Sequence, residues 1–423
     1  MSRIELKCDL LVIGSGIAGM AASLFAANRG IKTIQIGKTN TLSFTSGLMD
    51  VLAVHPIEEK RLWKNPWDAI DTLKKDISGH PYSKVSKDTI EKAFKELVAF
   101  LKSADVPYAN YQNKNVNIIT PIGTLKPTFF VPESMLNGVS ALEEKKPCLI
   151  IDFYNLKGFS ALQIKETLKD KWQNLRTAQI KFLDSSKEQF AEQMAYDLEK
   201  PKNLDKLAKE ISPHIKDAEI LGIPAILGVK RHSSVLSKLQ ELLGVKVFEI
   251  PTIIPSVPGI RLKKAFEDKL QDIGVQSFYS QEVIQVFHKD DFVFDVTGAA
   301  SMFKIRTKGV ILSTGRFFGG GLSADREKIT ETIFNLEIYG PFLRKVWHEL
   351  DFFAPRGHNI NNCGIETDEY FHPIDKSGKV IFNNLYAVGS ILAHNDWTRM
   401  KCGTGVSVAT AYSAVNAFLN QKG

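Results

Sequence analysis

Leu10 to Ala27 is an uncharged apolar run interrupted at its centre by Gly14-Ser15-Gly16-Ile17-Ala18-Gly19, and this interruption limits the fold more than any other feature. A signal or membrane helix needs its best helix formers where these glycines stand, so the run does not read as one helix. It divides into a strand, Asp9–Ile13, a glycine turn, and an Ala-rich helix to about Arg29, with Gly30 as C-cap and a second strand at Thr33–Ile36. Glycines at G-x-G-x-x-G spacing between strand and helix make a nucleotide-binding turn. Gly14 permits the tight turn, Gly16 lets the backbone approach a pyrophosphate, and Gly19 lets helix and strand pack closely. The phosphates then face the positive end of the helix. Gly14, Ser15, Gly16, Ala18 and Gly19 are thus candidate cofactor-binding residues. The acid expected to end the second strand and hold ribose hydroxyls is absent. Gly37 and Lys38 occupy its place and join the candidates.

The rest of the composition mainly excludes. In 423 residues, 44% hydrophobic and 24% charged residues describe an ordinary globular chain and not a disordered one. Fifty-four Lys and Arg against 47 Asp and Glu leave +7, with the signs interleaved. That surplus suits small anionic ligands or an anionic lipid surface and is too weak and scattered to argue for nucleic acid. Cys8, Cys148, Cys363 and Cys402 lie far apart, which excludes a disulfide scaffold and a Cys₄ zinc or iron–sulfur site within the chain. No metal-ligand cluster is present, so no metal site is expected.

From about residue 55 to 240 the chain carries amphipathic Lys/Glu-rich segments such as Lys87 to Lys102 and Gln163 to Trp172, which read as helices. Near Lys246 a β/α rhythm returns. Val247–Ile250, a hairpin of Val283–His288 with Phe292–Thr297, Gly309–Leu312 and Leu385–Val388 read as strands, and Val406 to Leu419 as a helix. Ser313-Thr314-Gly315 and Gly389-Ser390 end two of these strands in small residues that allow close approach of a flavin. Cys402-Gly403-Thr404-Gly405-Val406 opens the last helix, whose N-terminus can stabilise negative charge on a reduced flavin. Thr314, Gly315, Gly389, Ser390, Gly403, Gly405 and Val406 therefore extend the cofactor set. The expected fold is α/β: a Rossmann-like flavin-binding domain from residues 1–50 and 240–423, with a mainly helical inserted domain, 51–239, as cap, substrate or partner-binding domain.

Several longer stretches carry a resemblance: Phe44-Thr45-Ser46-Gly47-Leu48-Met49-Asp50, His80-Pro81-Tyr82-Ser83, Thr120 to Leu125, Pro251 to Leu262, Ser313 to Leu322, and Asp351 to Pro355. With these the chain resembles the B-subunit family of anaerobic glycerol-3-phosphate dehydrogenases, within the fumarate-reductase type of flavoprotein. The resemblance implies oxidation of sn-glycerol 3-phosphate to dihydroxyacetone phosphate. Electrons would pass through the flavin and an iron–sulfur, membrane-associated subunit to quinone, beside a catalytic sister chain, the A-type subunit. It implies FMN, whereas the pyrophosphate turn implies FAD. It also implies a cytoplasmic chain, peripheral to the inner face of the membrane through a partner and without a transmembrane segment. Thr45, Ser46 and Gly47 join the cofactor candidates. By the same resemblance His358, shortly before Gly364-Ile365, is a candidate general base. Arg261, Arg316 and Arg326 are phosphate-anchor candidates, and Arg261 and Arg326 join His358 in the expected catalytic set. His394-Asn395-Asp396 stands beside the last flavin segment with no role assigned. Two other functions fit the residues: a non-catalytic structural or electron-relay subunit, and a free-standing flavin oxidoreductase for another small acid.

Overall fold

A computed structural model describes residues 5–38, 41–183, 187–289, 291–298, 302–341 and 343–421. The first elements are strand β1 (Glu5–Ile13), helix α1 (Ile17–Asn28) and strand β2 (Thr33–Gly37). Leu10, Leu11 and Val12 are completely buried, and α1 is buried from Ala18 through Ala26. An uncharged helix is explained by that burial. One side of α1 packs on the C-terminal helix Gly403–Gln421, where the Phe25 and Tyr412 rings lie 5.1 Å apart and Arg29 Nε donates to Asn416 Oδ1 at 2.7 Å.

The main sheet has Gln276–Tyr279, β2, β1 and Met302–Leu312 side by side, all parallel. The antiparallel hairpin Gln281–His288 and Phe292–Gly298 continues it, while Leu385–Ala387 pairs in parallel with the carboxyl end of Met302–Leu312. The expected hairpin is therefore present, and Gly309–Leu312 is the buried end of a longer strand.

The chain separates into two compact units. One comprises residues up to Thr41, Asp50–Leu97 and from Phe266 onward; the other comprises Leu42–Met49 and Val98–Ala265. The division differs from the expected boundaries, because residues 50–97 belong with the nucleotide turn and 240–265 do not. The second unit is also not simply helical. It is built on a four-stranded parallel sheet in the order Lys246–Ile250, Ile220–Pro224, Cys148–Phe153, Leu175–Ile180. Cys148 through Phe153 is buried at every residue, so it lacks the alternation that marks a half-exposed strand. The Val247–Ile250 strand belongs to this sheet and not to the main one.

Candidate functional site

Register builds the site. Ile13 pairs with Ile36 and with Leu312, and Leu312 pairs with Ala387, so four successive strand ends finish level along one edge of the first unit. That edge is the carboxyl end of the parallel strands, where open α/β sheets bind ligands. The turns leaving it are tied together: Gly14 N donates to Ile36 O at 2.7 Å, Ser313 N to Ile13 O at 2.8 Å, and Val388 N to Leu312 O at 3.0 Å. Gly14 has φ +131°, and a Cβ there would lie 2.2 Å from Ser313 O; one on Gly19 would lie 2.1 Å from Gly14 O. Both positions require glycine.

Gly16 differs from these. Among the described residues, a Cβ on Gly16 would meet only Thr41 Oγ1 within 4 Å, at 3.1 Å. Gly16 caps α1 in extended backbone with no side-chain hydrogen bond, and the first turn has no acidic residue. A helix N-terminus without an internal anion and with open backbone beside it suits a pyrophosphate. Thr314, Gly315, Gly389 and Ser390 stand on the same edge. Gly389 packs on Ala18, Ser390 Oγ lies 3.5 Å from where a Gly315 Cβ would be, and the buried Thr314 hydroxyl has no partner. The residues present therefore fit a dinucleotide.

Other candidates fall elsewhere. A Cβ on Gly37 would lie 2.1 Å from Ser15 Oγ and 2.3 Å from Ser15 Cβ, so the position is closed by the turn itself. Lys38 pairs with Glu282 at 2.6 Å on the exposed surface. At the last helix, a Gly405 Cβ would lie 2.0 Å from Tyr82 Oη and a Gly403 Cβ 2.8 Å from Trp397; Gly405 N donates to Asp50 O and Val406 N to Cys402 O. Packing accounts for these two glycines, where cofactor contact was expected to. Thr45, Ser46 and Gly47 belong to the second unit. There the Thr45 carbonyl accepts from Ser256 Oγ at 2.5 Å, and Gly47 O accepts from Tyr108 Oη at 2.5 Å.

The expected catalytic set is corrected as a whole. Arg261 is buried in the second unit, where its fork binds both oxygens of Glu249 at 2.6 and 2.8 Å and its Nε donates to Gly228 O at 2.8 Å. Burial alone would raise the Glu249 carboxyl, but the Arg261 charge and its hydrogen bonds overcome this and hold it at about 2. No donor of that pair faces a substrate. Arg326 is exposed in the Asp325–Lys328 turn. His358 has both ring nitrogens committed to its own loop: Glu349 N donates to Nδ1 at 3.1 Å and Nε2 lies 3.1 Å from Phe352 O. Both contacts tie the ring to that loop.

One imidazole that lines a cleft is His394. Tyr339, Pro341, Asn359, Asn362 and His394 are among the residues lining a space of about 450 Å³ in the first unit. His394 Nε2 lies 2.8 Å from Glu366 Oε1, and its ring packs tilted against Tyr339, with centroids 3.9 Å apart. Its backbone is in the left-handed region, φ 59°, a strained state that clusters at functional positions. Behind it, His80 is fully buried, which lowers its pKa to about 3, and it accepts Tyr82 N–H at Nδ1. The sequence signal for His394 was its position five residues beyond Gly389; no local motif separated it from His358.

Comparison with known proteins gives a family and a set of relatives. Residues 9–406 match the family described as FAD binding domain. The B subunit of the anaerobic glycerol-3-phosphate dehydrogenase of Aliivibrio fischeri (strain ATCC 700601 / ES114) is 28% identical, over 98% of this chain and 95% of that protein. The protein of the same name from Vibrio vulnificus (strain YJ016) is 29% identical, over 99% and 97%. Among solved structures, 3-ketosteroid delta1-dehydrogenase from Sterolibacterium denitrificans aligns over 98% of this chain and all of that one, at 12% identity and a TM-score of 0.44. Of the two flavins expected, the family match supports FAD and lends nothing to FMN.

Proposed function

This chain belongs to the FAD binding domain family, and from that premise we propose that it is the flavin-bearing subunit of a glycerol-3-phosphate dehydrogenase complex, oxidising sn-glycerol 3-phosphate to dihydroxyacetone phosphate. Relatives matched from end to end bear that subunit's name, and one unit carries both a dinucleotide cradle and a cleft. The observation that carries the reading is His394, which lines that cleft and is paired with Glu366. FAD would be held by Gly14–Gly19, Thr314, Gly315, Gly389 and Ser390, and when bound it supplies the acceptor for hydride from carbon.

His394 handles the proton. With Glu366 accepting from Nε2–H, Nδ1 is the basic nitrogen, and it takes the hydroxyl proton as the substrate carbon becomes a carbonyl. Close packing against Tyr339 restrains the ring. Asn359 and Asn362 offer amide groups that orient the substrate's oxygens. Onward transfer is assigned to a partner polypeptide, either a catalytic sister chain or a membrane-associated iron–sulfur subunit, because the four cysteines are dispersed and buried. Among the described residues no helix is long and apolar enough to cross a membrane.

The test is anaerobic addition of sn-glycerol 3-phosphate to the purified chain, after its released cofactor has been identified by mass. FAD and rapid bleaching are expected. One observation favours the relay reading: Arg261, Arg316 and Arg326, the expected phosphate anchors, are not among the residues lining the cleft. FAD present without bleaching, in a chain that still supports turnover by the assembled complex, would establish that role instead.

A further inference from the structure

Arg316 follows Gly315 of the cradle and is left unused by the chemistry above. Its guanidinium donates to Asn361 O, and through Nη2 to Leu392 O at 3.0 Å and Asn395 O at 2.8 Å. All three acceptors are carbonyls. Burial brings this guanidinium down to about 10, which leaves it cationic at neutral pH. Asp396 is near enough to act on it electrostatically, but that carboxylate is hydrogen-bonded by Asn361 Nδ2 and Arg399 N. Arg316 and Arg399 thus share one carboxylate, and the group keeps a net positive charge. Nε of Arg316 is without a partner among the described residues, unusual for a buried donor.

The carbonyls come from two of the segments that line the cleft: the turn Asn359–Asn362, and residues 392–395, which carry His394. A planar fork can bridge several carbonyls, whereas an ammonium is a point donor on a flexible stem.

We propose that Arg316 is a positioning residue of this site, clamping the turn Asn359–Asn362 to the segment that carries His394 and holding a buried positive charge beside the cradle that raises the reduction potential of the bound flavin. The proposal rests on the FAD reading above.

R316K and R316M test it in the FAD-loaded protein. Lysine keeps the charge and loses the clamp; methionine loses both. In R316M the two-electron equilibrium with a reference dye is expected to shift at least tenfold toward oxidised flavin, about 30 mV. R316K should stay within about threefold of wild type in the dye equilibrium, since a tenfold shift is the threshold. Both variants should lose at least tenfold in kcat with sn-glycerol 3-phosphate. An unchanged dye equilibrium in FAD-bound R316M overturns the electrostatic role, and wild-type kcat in R316K overturns the clamp. If R316M does not retain FAD, R316K decides: a lysine variant that binds FAD at a lowered potential overturns the proposal, and one at the wild-type potential supports it. Wild-type protein without FAD would overturn the functional reading as well, so the two failures are distinct.

Discussion

Position 37 is glycine because Ser15 fills the space its side chain would need, with Oγ 2.1 Å and Cβ 2.3 Å from the Cβ position. A strand alignment without side-chain packing suggests that Gly37→Glu would restore a ribose-binding carboxylate and tighten FAD. The geometry predicts the reverse. The variant should push Ser15 out of the turn and lower the FAD-to-protein ratio of the purified chain, read from its absorbance. At the cleft, His394→Gln should slow single-turnover flavin reduction by about 10²–10⁴-fold, the span of a lost general base. Glu366→Gln keeps the imidazole but loses a charge-assisted partner. At about 1.5–3 kcal/mol for such a bond, its rate should fall about ten- to a hundredfold. His358→Gln, by contrast, should leave the reduction rate within about threefold, because that ring serves its own loop.

At the scale of elements, the close seat of the helix Gly403–Gln421 is testable by a double-mutant cycle. Gly405→Ala puts a methyl 2.0 Å from Tyr82 Oη and 2.9 Å from Val51, an overpacking that should cost about 1–3 kcal/mol. Tyr82→Phe removes a hydroxyl that donates to Val51 O at 2.6 Å, and should cost about 1–3 kcal/mol by leaving that carbonyl unpaired. Because removal of Oη also makes room for the methyl, the double variant should be destabilised by less than the sum, measured by urea unfolding. In the second unit, the helix Val257–Asp272 is pinned to the strand Lys246–Ile250 by Arg261 and Glu249. Arg261→Met alone should cost about 3–5 kcal/mol by stranding a buried carboxylate, and adding Glu249→Leu should recover most of it.

For the whole molecule, acid should weaken both units. His80 in the first and His232 in the second are kept neutral by burial, at about 3 and about 4 against an ordinary 6.5. Between those values and 6.5 the unfolded chain binds more protons, so stability falls as pH drops below 6.5, by up to about 1.4 kcal/mol per pH unit for each ring. Glu249 adds a later loss. Held at about 2 against 4.5 unfolded, its contribution is full above 4.5 and disappears as pH falls from there toward 2. Thermal melting against pH should show the first decline beginning near 6.5, and His80→Asn should flatten it.

The nucleotide turn was legible in the amino-acid order because its requirements are local. A left-handed Gly14, a close Gly19 and a cap at Gly16 are all satisfied within a few residues of one another. The strand ends at Thr314–Gly315 and Gly389–Ser390 were legible for a related reason, since apolar runs closing in small residues report burial followed by close approach. The parallel sheet through Cys148–Phe153 was not, because a strand buried on both faces has no periodicity to distinguish it. Nor could local order show that Arg261 would meet Glu249, that Ser15 would close position 37, or that His358 would spend both nitrogens on its own loop while His394 faced a cleft. A polar side chain's role depends on which distant segment satisfies its hydrogen bonds, and those partners are chosen only when the chain folds back on itself.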